Sequence, residues 1–259
     1  MKVNQCQKKM DRCDPANIPL LWINLDTAMK RRARMNWAIN QGGWKACRFS
    51  AIDAADRRQR LVAIPNLLRA GIPLPGLYRA EEADSMRITS RHELACLASW
   101  KHLLIKAKKT ETPSGWVLLM EDDVGASLAT PDSWAHSLLD LIDFCPKGTV
   151  LIQLAPISAD VRHSLANLWF QSHGSCLSVS KETIRSHGNG AVLLNKEGID
   201  RLIDRLLLVI NHFKRNWHPF LYPWLIRPVA DKWIYGSLPH GSCQVATYPH
   251  FCLEAEESS

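Results

Sequence analysis

Short apolar runs that end in polar residues alternate along this chain with longer segments of helical periodicity. A run such as Trp116–Met120 is apolar at every position, which is typical of a strand buried on both faces. The predicted strands are residues 18–24, 44–52, 116–120, 149–154 and 190–194. Strands that alternate with helices predict an α/β domain, with a mostly parallel central sheet flanked by helices.

The segment after the first predicted strand combines helical spacing with crowded basic charge. Asp26 or Thr27 is the expected N-cap, and Met29, Ala33 and Trp37 fall four residues apart, so these three predict the apolar stripe of a helix. The first turns also contain four basic residues, Lys30, Arg31, Arg32 and Arg34. Positive charge there opposes the helix dipole. Either these side chains face solvent, or they hold an anion together with the helix N-terminus.

Two further helices have recognisable start signals. Ser90 and Glu93 have the spacing of a capping box, so a helix is expected to begin there. Thr130 followed by Pro131 predicts an N-cap and a first helical residue, with the helix running to about Phe144. Asn195 is expected to cap a later helix.

The chain is interpreted as one domain, residues 18–259, preceded by a loose polar arm, residues 1–17. No apolar export signal is visible near the start, and the longest strongly apolar run, residues 206–213, is too short to span a bilayer. We therefore expect a cytoplasmic protein, with peripheral contact at the inner face of a membrane left open. The eight cysteines include no CxxC pair, which favours reduced thiols and gives structural zinc little support.

Net charge of +7 is distributed unevenly along the sequence. Residues 1–79 contain 15 Lys and Arg against 5 Asp and Glu, whereas the remainder contains 17 against 20. The first third of the sequence is therefore basic. It could bind a nucleic acid, an anionic membrane surface or a diphosphate, or it could form an ordinary solvated face. No nucleic-acid recognition motif accompanies the charge, so no nucleic acid is expected as a partner.

One aromatic segment bears on the membrane alternative. Residues 217–224 contain four aromatic side chains and lie beside Lys214, Arg215 and Arg227. Aromatic rings with flanking cations suit a sugar ring or a membrane interface, but they equally suit ordinary core packing.

Three acidic residues, Glu121, Asp122 and Asp123, follow the strand that ends at Met120. Adjacent carboxylates repel one another unless a cation neutralises them. On extended backbone Glu121 and Asp123 point to one side and Asp122 to the other, so the first two are the candidate ligands of one ion. Oxygen ligands favour Mg²⁺ or Mn²⁺. The alternative is a solvated acidic loop that caps helix ends.

Ligands in α/β sheets bind beyond the carboxyl ends of the strands. This rule makes the residues after the first two strands candidates for a nucleoside site: Asn24, Leu25, Ile52 and Asp53. Asp53 is expected to accept a hydrogen bond from a base or a ribose hydroxyl. Arg31 and Arg32 are the candidates for a diphosphate, since guanidinium groups bind phosphate oxygens in pairs. A histidine, His250 or alternatively His240, is the candidate third metal ligand.

Six motifs in chain order carry a resemblance to a known family. They are Ile23–Asp26 with Arg31 and Arg32, Phe49–Asp53, Glu93–Ser99, Leu118–Asp123, Gly188–Leu194 with Lys196–Gly198, and Pro228–Asp231. In this order they resemble glycosyltransferase family 25, which includes bacterial lipooligosaccharide galactosyltransferases and relatives of the collagen galactosyltransferases. Trp100 departs from the family pattern, which commonly has His there, and Val192 stands in place of an aromatic residue.

The resemblance implies an A-type, Rossmann-like glycosyltransferase fold and a nucleotide-sugar donor, commonly UDP-galactose. It also implies Mn²⁺ or Mg²⁺, an acceptor glycan or glycolipid, an inverting outcome, and a role in lipopolysaccharide or cell-surface glycan synthesis. Glu93 and Ser99 would then lie near the donor. Asp231 is the first choice of base for the acceptor hydroxyl, with Asp122 in a supporting catalytic role. A helix cap at Asp231, and a family member that binds without turnover, are the alternatives.

Overall fold

The computed structural model describes residues 14–59, 91–215 and 229–253, and within them seven strands form one sheet in the order β2-β1-β3-β6-β4-β7-β5. The strands are β1 (Leu20–Asn24), β2 (Ala46–Ser50), β3 (Trp116–Glu121), β4 (Leu151–Gln153), β5 (Ser178–Ser180), β6 (Ala191–Asn195) and β7 (Cys243–Ala246). The helices are α1 (Asp14–Asn17), α2 (Met29–Gln41), α3 (Arg91–Lys108), α4 (Leu138–Phe144), α5 (Ala159–Gln171), α6 (Lys196–Arg215) and α7 (Ala230–Ser237). Two 3₁₀ turns, Ala126–Ala129 and Pro131–Ser133, precede α4.

Strand direction decides which polar residues meet. β1 is parallel to β2 and β3, and β4 is parallel to β7. β6 runs antiparallel to both β3 and β4, and β5 runs antiparallel to β7. Strands β1, β2, β3, β4 and β7 therefore share one direction, and their carboxyl ends lie at one edge of the sheet. The predicted α/β class, with a central sheet flanked by helices, is confirmed. The sheet is mixed rather than mostly parallel, because its six pairings divide evenly between parallel and antiparallel.

Helices cover both faces of the sheet. Leu118 and Met120 point from β3 into a core shared with α2 and α4, whereas Val117 and Leu119 point into a core shared with α3, α6 and α7. This arrangement explains why the sequence of β3 is apolar at successive positions. Each fully buried leucine stabilises the fold by about 1.5–3 kcal/mol. The same alternation turns Glu121, at the end of β3, toward the α3 side.

Helix α2 buries a different face from the one predicted. Its buried residues are Met35, Ala38 and Ile39, while Met29 and Trp37 are 66% and 60% exposed. The N-cap is Ala28, without a side-chain hydrogen bond, in place of the predicted Asp26 or Thr27. Two apolar stripes lie on this helix, and periodicity alone does not say which one meets the sheet.

The predicted helix from residue 130 to 144 is broken. Pro131–Ser133 forms a 3₁₀ turn, and α4 begins only after Ser137, which forms a capping box with Asp140. Ser137 supplies the cap hydroxyl that Thr130 was expected to supply. By contrast, Asn195 caps α6 as predicted, because its side-chain oxygen accepts from Gly198 N at 2.8 Å.

The end of the expected N-terminal arm belongs to the domain. Residues 14–17 form α1, and the Asp14 side chain is buried. Its carboxylate accepts hydrogen bonds from Leu138 N at 2.6 Å and Leu139 N at 3.1 Å, at the start of α4. Asp14 thus serves as a long-range cap for two backbone N–H groups that a helix start leaves unsatisfied.

Several predictions fall on parts of the chain outside the described residues. These are the loose arm over residues 1–13, the Ser90 cap, and the aromatic segment 217–224. The six cysteines in the described ranges are free thiols, as expected. Among the helices of those ranges, none has the length and apolar character needed to cross a membrane.

Candidate functional site

The acidic triplet and the end of the first strand meet at the edge formed by the strand carboxyl ends. Strand register places Ile23 opposite Glu121 and Asn24 opposite Ser50. Asn24 Nδ2 donates to Asp122 Oδ2 at 2.5 Å, although the two residues lie 98 positions apart. Asn24 and the triplet therefore lie together at the edge of the sheet, as expected for residues at the carboxyl ends of neighbouring parallel strands.

Asp122, the middle residue of the triplet, is held by side chains from β1 and α2. It is 9% exposed, and the Nε of Arg31 lies 3.2 Å from Oδ2, the same oxygen that Asn24 contacts. Asn24 also donates to the carbonyl of Ala28 at 3.2 Å, just before α2. The start of α2 is therefore tied to the ends of β1 and β3. Asp122 thus faces β1 and α2, whereas Glu121 faces α3.

Arg48 belongs to the same cluster and was not predicted. Its Nε donates to Asn24 Oδ1 at 3.1 Å, and its guanidinium also contacts the Asn24 carbonyl and Asp26. Hydrogen bonds from Arg48 and Ser50 hold the pKa of Asp26 below its usual value. The sequence did offer one sign of this role. Arg48 lies in the middle of a predicted strand, where a charged side chain needs a polar partner on a neighbouring strand.

Glu121 lies against helix α3. Trp100 Nε1 donates to Glu121 Oε1 at 2.8 Å, and Cys96 Sγ lies 3.7 Å from the same oxygen. Burial raises the pKa of Glu121 to about 7; the Trp100 hydrogen bond opposes this shift, and the nearby charges of Asp123 and Asp122 add to it. Trp100 is fully buried, and its indole is the side-chain partner that α3 offers to Glu121.

The predicted metal ligands do not form a three-residue group. In the described ranges, no cluster of three or more His, Cys, Asp or Glu side chains is arranged to hold a metal ion. His250 is buried between the rings of Trp134 and Tyr248, its Nε2 lies 3.0 Å from the His136 carbonyl, and burial lowers its pKa to about 4. His250 therefore does not join the triplet as a third ligand.

The other predicted donor residues take mainly local contacts. Ser99 Oγ accepts from Ile52 N at 2.8 Å and donates to Ala95 O, so it fastens the chain after β2 to α3. Asp53 Oδ1 accepts from Ala55 N at 2.7 Å in a local turn. Arg32 lies 4.0 Å from Asp26. Two more of the predicted donor residues, Leu25 and Glu93, are half-buried.

Asp231 lies at the start of α7, on the Glu121 side of the sheet. Its two carboxylate oxygens accept from Lys232 N at 2.7 Å and Gly188 N at 3.4 Å. The charges of Glu121, Asp231 and Asp123 contribute to a raised pKa of the Cys96 thiol, after burial itself. Asp231, Glu121 and Asp123 therefore all lie near enough to Cys96 for their charges to act on its thiol.

A polar network that was not predicted supports the loop bound by Asp231. The amide of Gln153, at the end of β4, donates to Gly188 O at 2.6 Å and accepts from Ser186 Oγ at 2.5 Å. Tyr235 Oη donates to the same Gly188 carbonyl, and the Lys181 ammonium lies 3.9 Å from the Tyr235 ring centroid. These residues come from β4, from α7 and from the segment between β5 and β6, and their spacing in sequence gave no sign of contact.

Comparisons with known proteins leave the family open. No protein-family model matches this sequence, and no curated protein matches it. Among solved structures, the chain is similar to the crystal structure of mouse xyloside xylosyltransferase 1 in its apo form, with a TM-score of 0.38 and 10% identity. The match covers 88% of this chain and 84% of that chain. A similarity of this size carries no inference about activity, and membership of family 25 stays a prediction.

Proposed function

We propose that this protein is a glycosyltransferase that moves a hexose from a nucleotide sugar to a hydroxyl of an acceptor glycan. The observation that carries the proposal is the Asn24–Asp122 contact beside Arg31, which joins the carboxyl ends of β1 and β3 at one edge. Such an edge is where α/β sheets bind nucleotides. A basic helix start next to carboxylates suits a ligand that carries both a diphosphate and a sugar.

The donor would lie along the ends of β1 and β2. Asn24, Leu25, Ile52 and Asp53 are the proposed neighbours of the nucleoside, and the Ser99 hydroxyl supports this stretch by holding Ile52 N. Arg31 is the proposed diphosphate ligand, with Arg32 beside it. Because the Arg31 Nε is fixed by Asp122, the rest of its guanidinium is presented in a defined position.

A divalent cation is proposed as cofactor, bound by Glu121 and Asp123. Their oxygen atoms suit Mn²⁺ or Mg²⁺, and the mutual repulsion that helps raise the pKa of Glu121 is the electrostatic setting that a cation relieves. With no third protein ligand among the described residues, donor phosphate oxygens would complete the coordination. A bound cation would offset charge on the leaving diphosphate.

Asp231 is proposed as the base. The acceptor oxygen forms its bond to the anomeric carbon while the bond from that carbon to the diphosphate oxygen breaks. The hydroxyl proton passes to the Asp231 carboxylate, and the nucleoside diphosphate leaves with the bonding electrons. Backbone N–H groups of Lys232 and Gly188 orient this carboxylate. Asp122 has the supporting role of fixing Arg31 and Asn24.

The finer proposal names UDP-galactose as donor, an inverting outcome and a lipopolysaccharide or other cell-surface glycan as acceptor. It rests on the ordered motifs that resemble family 25, because the geometry does not distinguish one hexose from another. Trp100 and Val192 depart from the family pattern, so glucose and N-acetyl sugars belong in the same test.

Nucleotide and metal binding test the proposal directly. Titration calorimetry with UDP, GDP and CMP, with and without Mn²⁺, is expected to show metal-enhanced binding of UDP that weakens about tenfold or more in Arg31→Ala. Arg34→Ala, on the same helix, is the matched control.

Electron paramagnetic resonance tests the metal site. It is expected to show Mn²⁺ immobilised by wild type with UDP but not by Asp123→Ala. Absence of nucleotide binding would overturn the proposal, whereas binding without sugar transfer would identify a non-catalytic binding protein.

A further inference from the structure

The outer face of helix α2 carries an apolar stripe that the domain leaves uncovered. Met29, Ala33 and Trp37, here called the outer stripe, lie four residues apart and hence on one side of the helix. All three are exposed, Met29 by 66% and Trp37 by 60%, while the opposite side of the helix packs on the sheet. Single exposed apolar residues are ordinary, but two large ones in line on one helix face form a patch.

The charges on α2 all have the same sign. The helix contains Lys30, Arg31, Arg32 and Arg34 and no acidic residue. Arg31 and Arg32 face Asp122 and Asp26, at the sheet edge. Helical geometry places the other two, Lys30 and Arg34, beside Trp37 along one border of the outer stripe, and both are exposed. The exposed surface of α2 is therefore an apolar strip with a cationic border.

An exposed aromatic residue elsewhere gives a contrast. Phe170 on α5 is 66% exposed, which is close to the exposure of Trp37, and it packs edge-on against Trp169 at 4.9 Å. No Lys or Arg occurs between residues 163 and 180. The apolar and the cationic residues thus occur together on α2, whereas no Lys or Arg neighbours Phe170 in the sequence.

We propose that the outer stripe docks this protein on an anionic phospholipid bilayer. The helix would lie in the plane of the interface, with Met29 and Trp37 entering the boundary between headgroups and acyl chains. An indole suits this depth because it is apolar with one polar edge. Lys30 and Arg34 would lie at the level of the lipid phosphates, where each basic side chain adds to the binding. The surface is separate from the proposed donor site and does not require the proposed activity.

Vesicle flotation of the full chain tests this proposal. Wild type is expected to float with phosphatidylcholine vesicles that contain phosphatidylglycerol, to float poorly with phosphatidylcholine alone, and to lose binding as salt rises. Trp37→Ser should weaken binding about tenfold or more, and Lys30→Gln and Arg34→Gln about fivefold each. Phe170→Ser is the matched control and should bind as wild type does. Circular dichroism melts establish that each variant is folded.

A second readout locates the contact. Brominated phospholipids are expected to quench part of the tryptophan emission of wild type, and Trp37→Phe should remove that part although nine other tryptophans remain. Equal loss of flotation in Trp37→Ser and Phe170→Ser would overturn the proposal, as would equal binding to neutral and anionic vesicles. Tight binding to single-stranded RNA, with no vesicle binding and no effect of Trp37→Ser, would overturn it in favour of a nucleic-acid surface.

Discussion

Trp100 and Glu121 form a part-buried pair in which the indole Nε1 donates to the carboxylate Oε1 at 2.8 Å. The pair joins the middle of α3 to the end of β3, at the point where the sheet ends and the acidic triplet begins. Burial raises the pKa of Glu121 to about 7, and the hydrogen bond from Trp100 works against that shift. Trp100 therefore acts directly on the ionisation of the first residue of the triplet.

Trp100→Phe should destabilise the fold more than the same change at Trp233. Both tryptophans are fully buried, but the Trp233 indole N–H has no hydrogen-bond partner among the described residues. Both variants lose the same side-chain volume. Trp100→Phe also loses the hydrogen bond to the Glu121 carboxylate, which costs about 1.5–3 kcal/mol more. Urea unfolding of the two variants measures the difference. Equal losses would show that the Trp100–Glu121 hydrogen bond contributes little.

Asp122→Asn should lower stability by about 1–3 kcal/mol, because it removes the charge that faces Arg31 in a nearly buried position. Asp26→Asn is the control. Its side chain is 57% exposed and its ion pairs are screened by water, so a loss below about 1 kcal/mol is expected. The midpoints of chemical unfolding give both values. A larger loss for the Asp26 variant would contradict the description of Asp122 as the anchored residue.

Asp14 gives the fold a dependence on pH. Burial raises its pKa from 3.8 to about 6, although hydrogen bonds from Leu138 N and Leu139 N oppose the shift. Between these values the native state retains a proton that the unfolded chain has lost, so stability falls as pH rises through this window. Relative to Asp14→Asn, wild type should lose about 3 kcal/mol between about pH 3 and pH 7, about 2 kcal/mol of it between pH 4 and pH 6. Urea unfolding of both proteins across this pH range measures the difference. If the free energy of unfolding of the two proteins changed with pH in parallel, the raised pKa of Asp14 would be contradicted.

Gly42→Ala should be far more damaging than Gly43→Ala, one residue further along. A Cβ at Gly42 would lie 1.9 Å from the backbone carbonyl oxygen of Leu128, which also accepts the indole N–H of Trp44 at 3.0 Å. Gly43 has φ of +68° but open space around it. The expected losses are about 3 kcal/mol and about 1 kcal/mol respectively. Thermal unfolding distinguishes the two variants. Similar melting temperatures would show that the backbone of the 3₁₀ turn can move away from α2 at little cost in stability.

Much of the fold could be predicted from sequence because buried strands have a strong local signature. Trp116–Met120 and Ile18–Asn24 are apolar runs that end in polar residues, and both contain observed strands. The direction of β6 could not be predicted, since an apolar strand has the same composition whether it runs parallel or antiparallel. The burial of α2 was predicted on the wrong face because the sequence offers two stripes of similar spacing.

The site was predictable only as far as strand ends define it. Asn24 and the triplet follow strands that turned out to be neighbours, so the rule for carboxyl ends brought them together. Arg48 and the Gln153 network depend on contacts between elements that are distant in sequence, and no local pattern marks such contacts. His250 was predicted by residue type alone, and its surroundings are those of a buried ring.

The central claim is that the edge formed by Asn24 and the triplet transfers sugar from a nucleotide donor. Its most direct test is release of nucleoside diphosphate from a panel of UDP-, GDP- and TDP-sugars with Mn²⁺, with acceptor glycans present, comparing wild type and Asp123→Asn. The account predicts turnover of at least one donor by wild type and a loss of about a hundredfold or more in the variant. Wild type and variant that behave alike across the whole panel would contradict it.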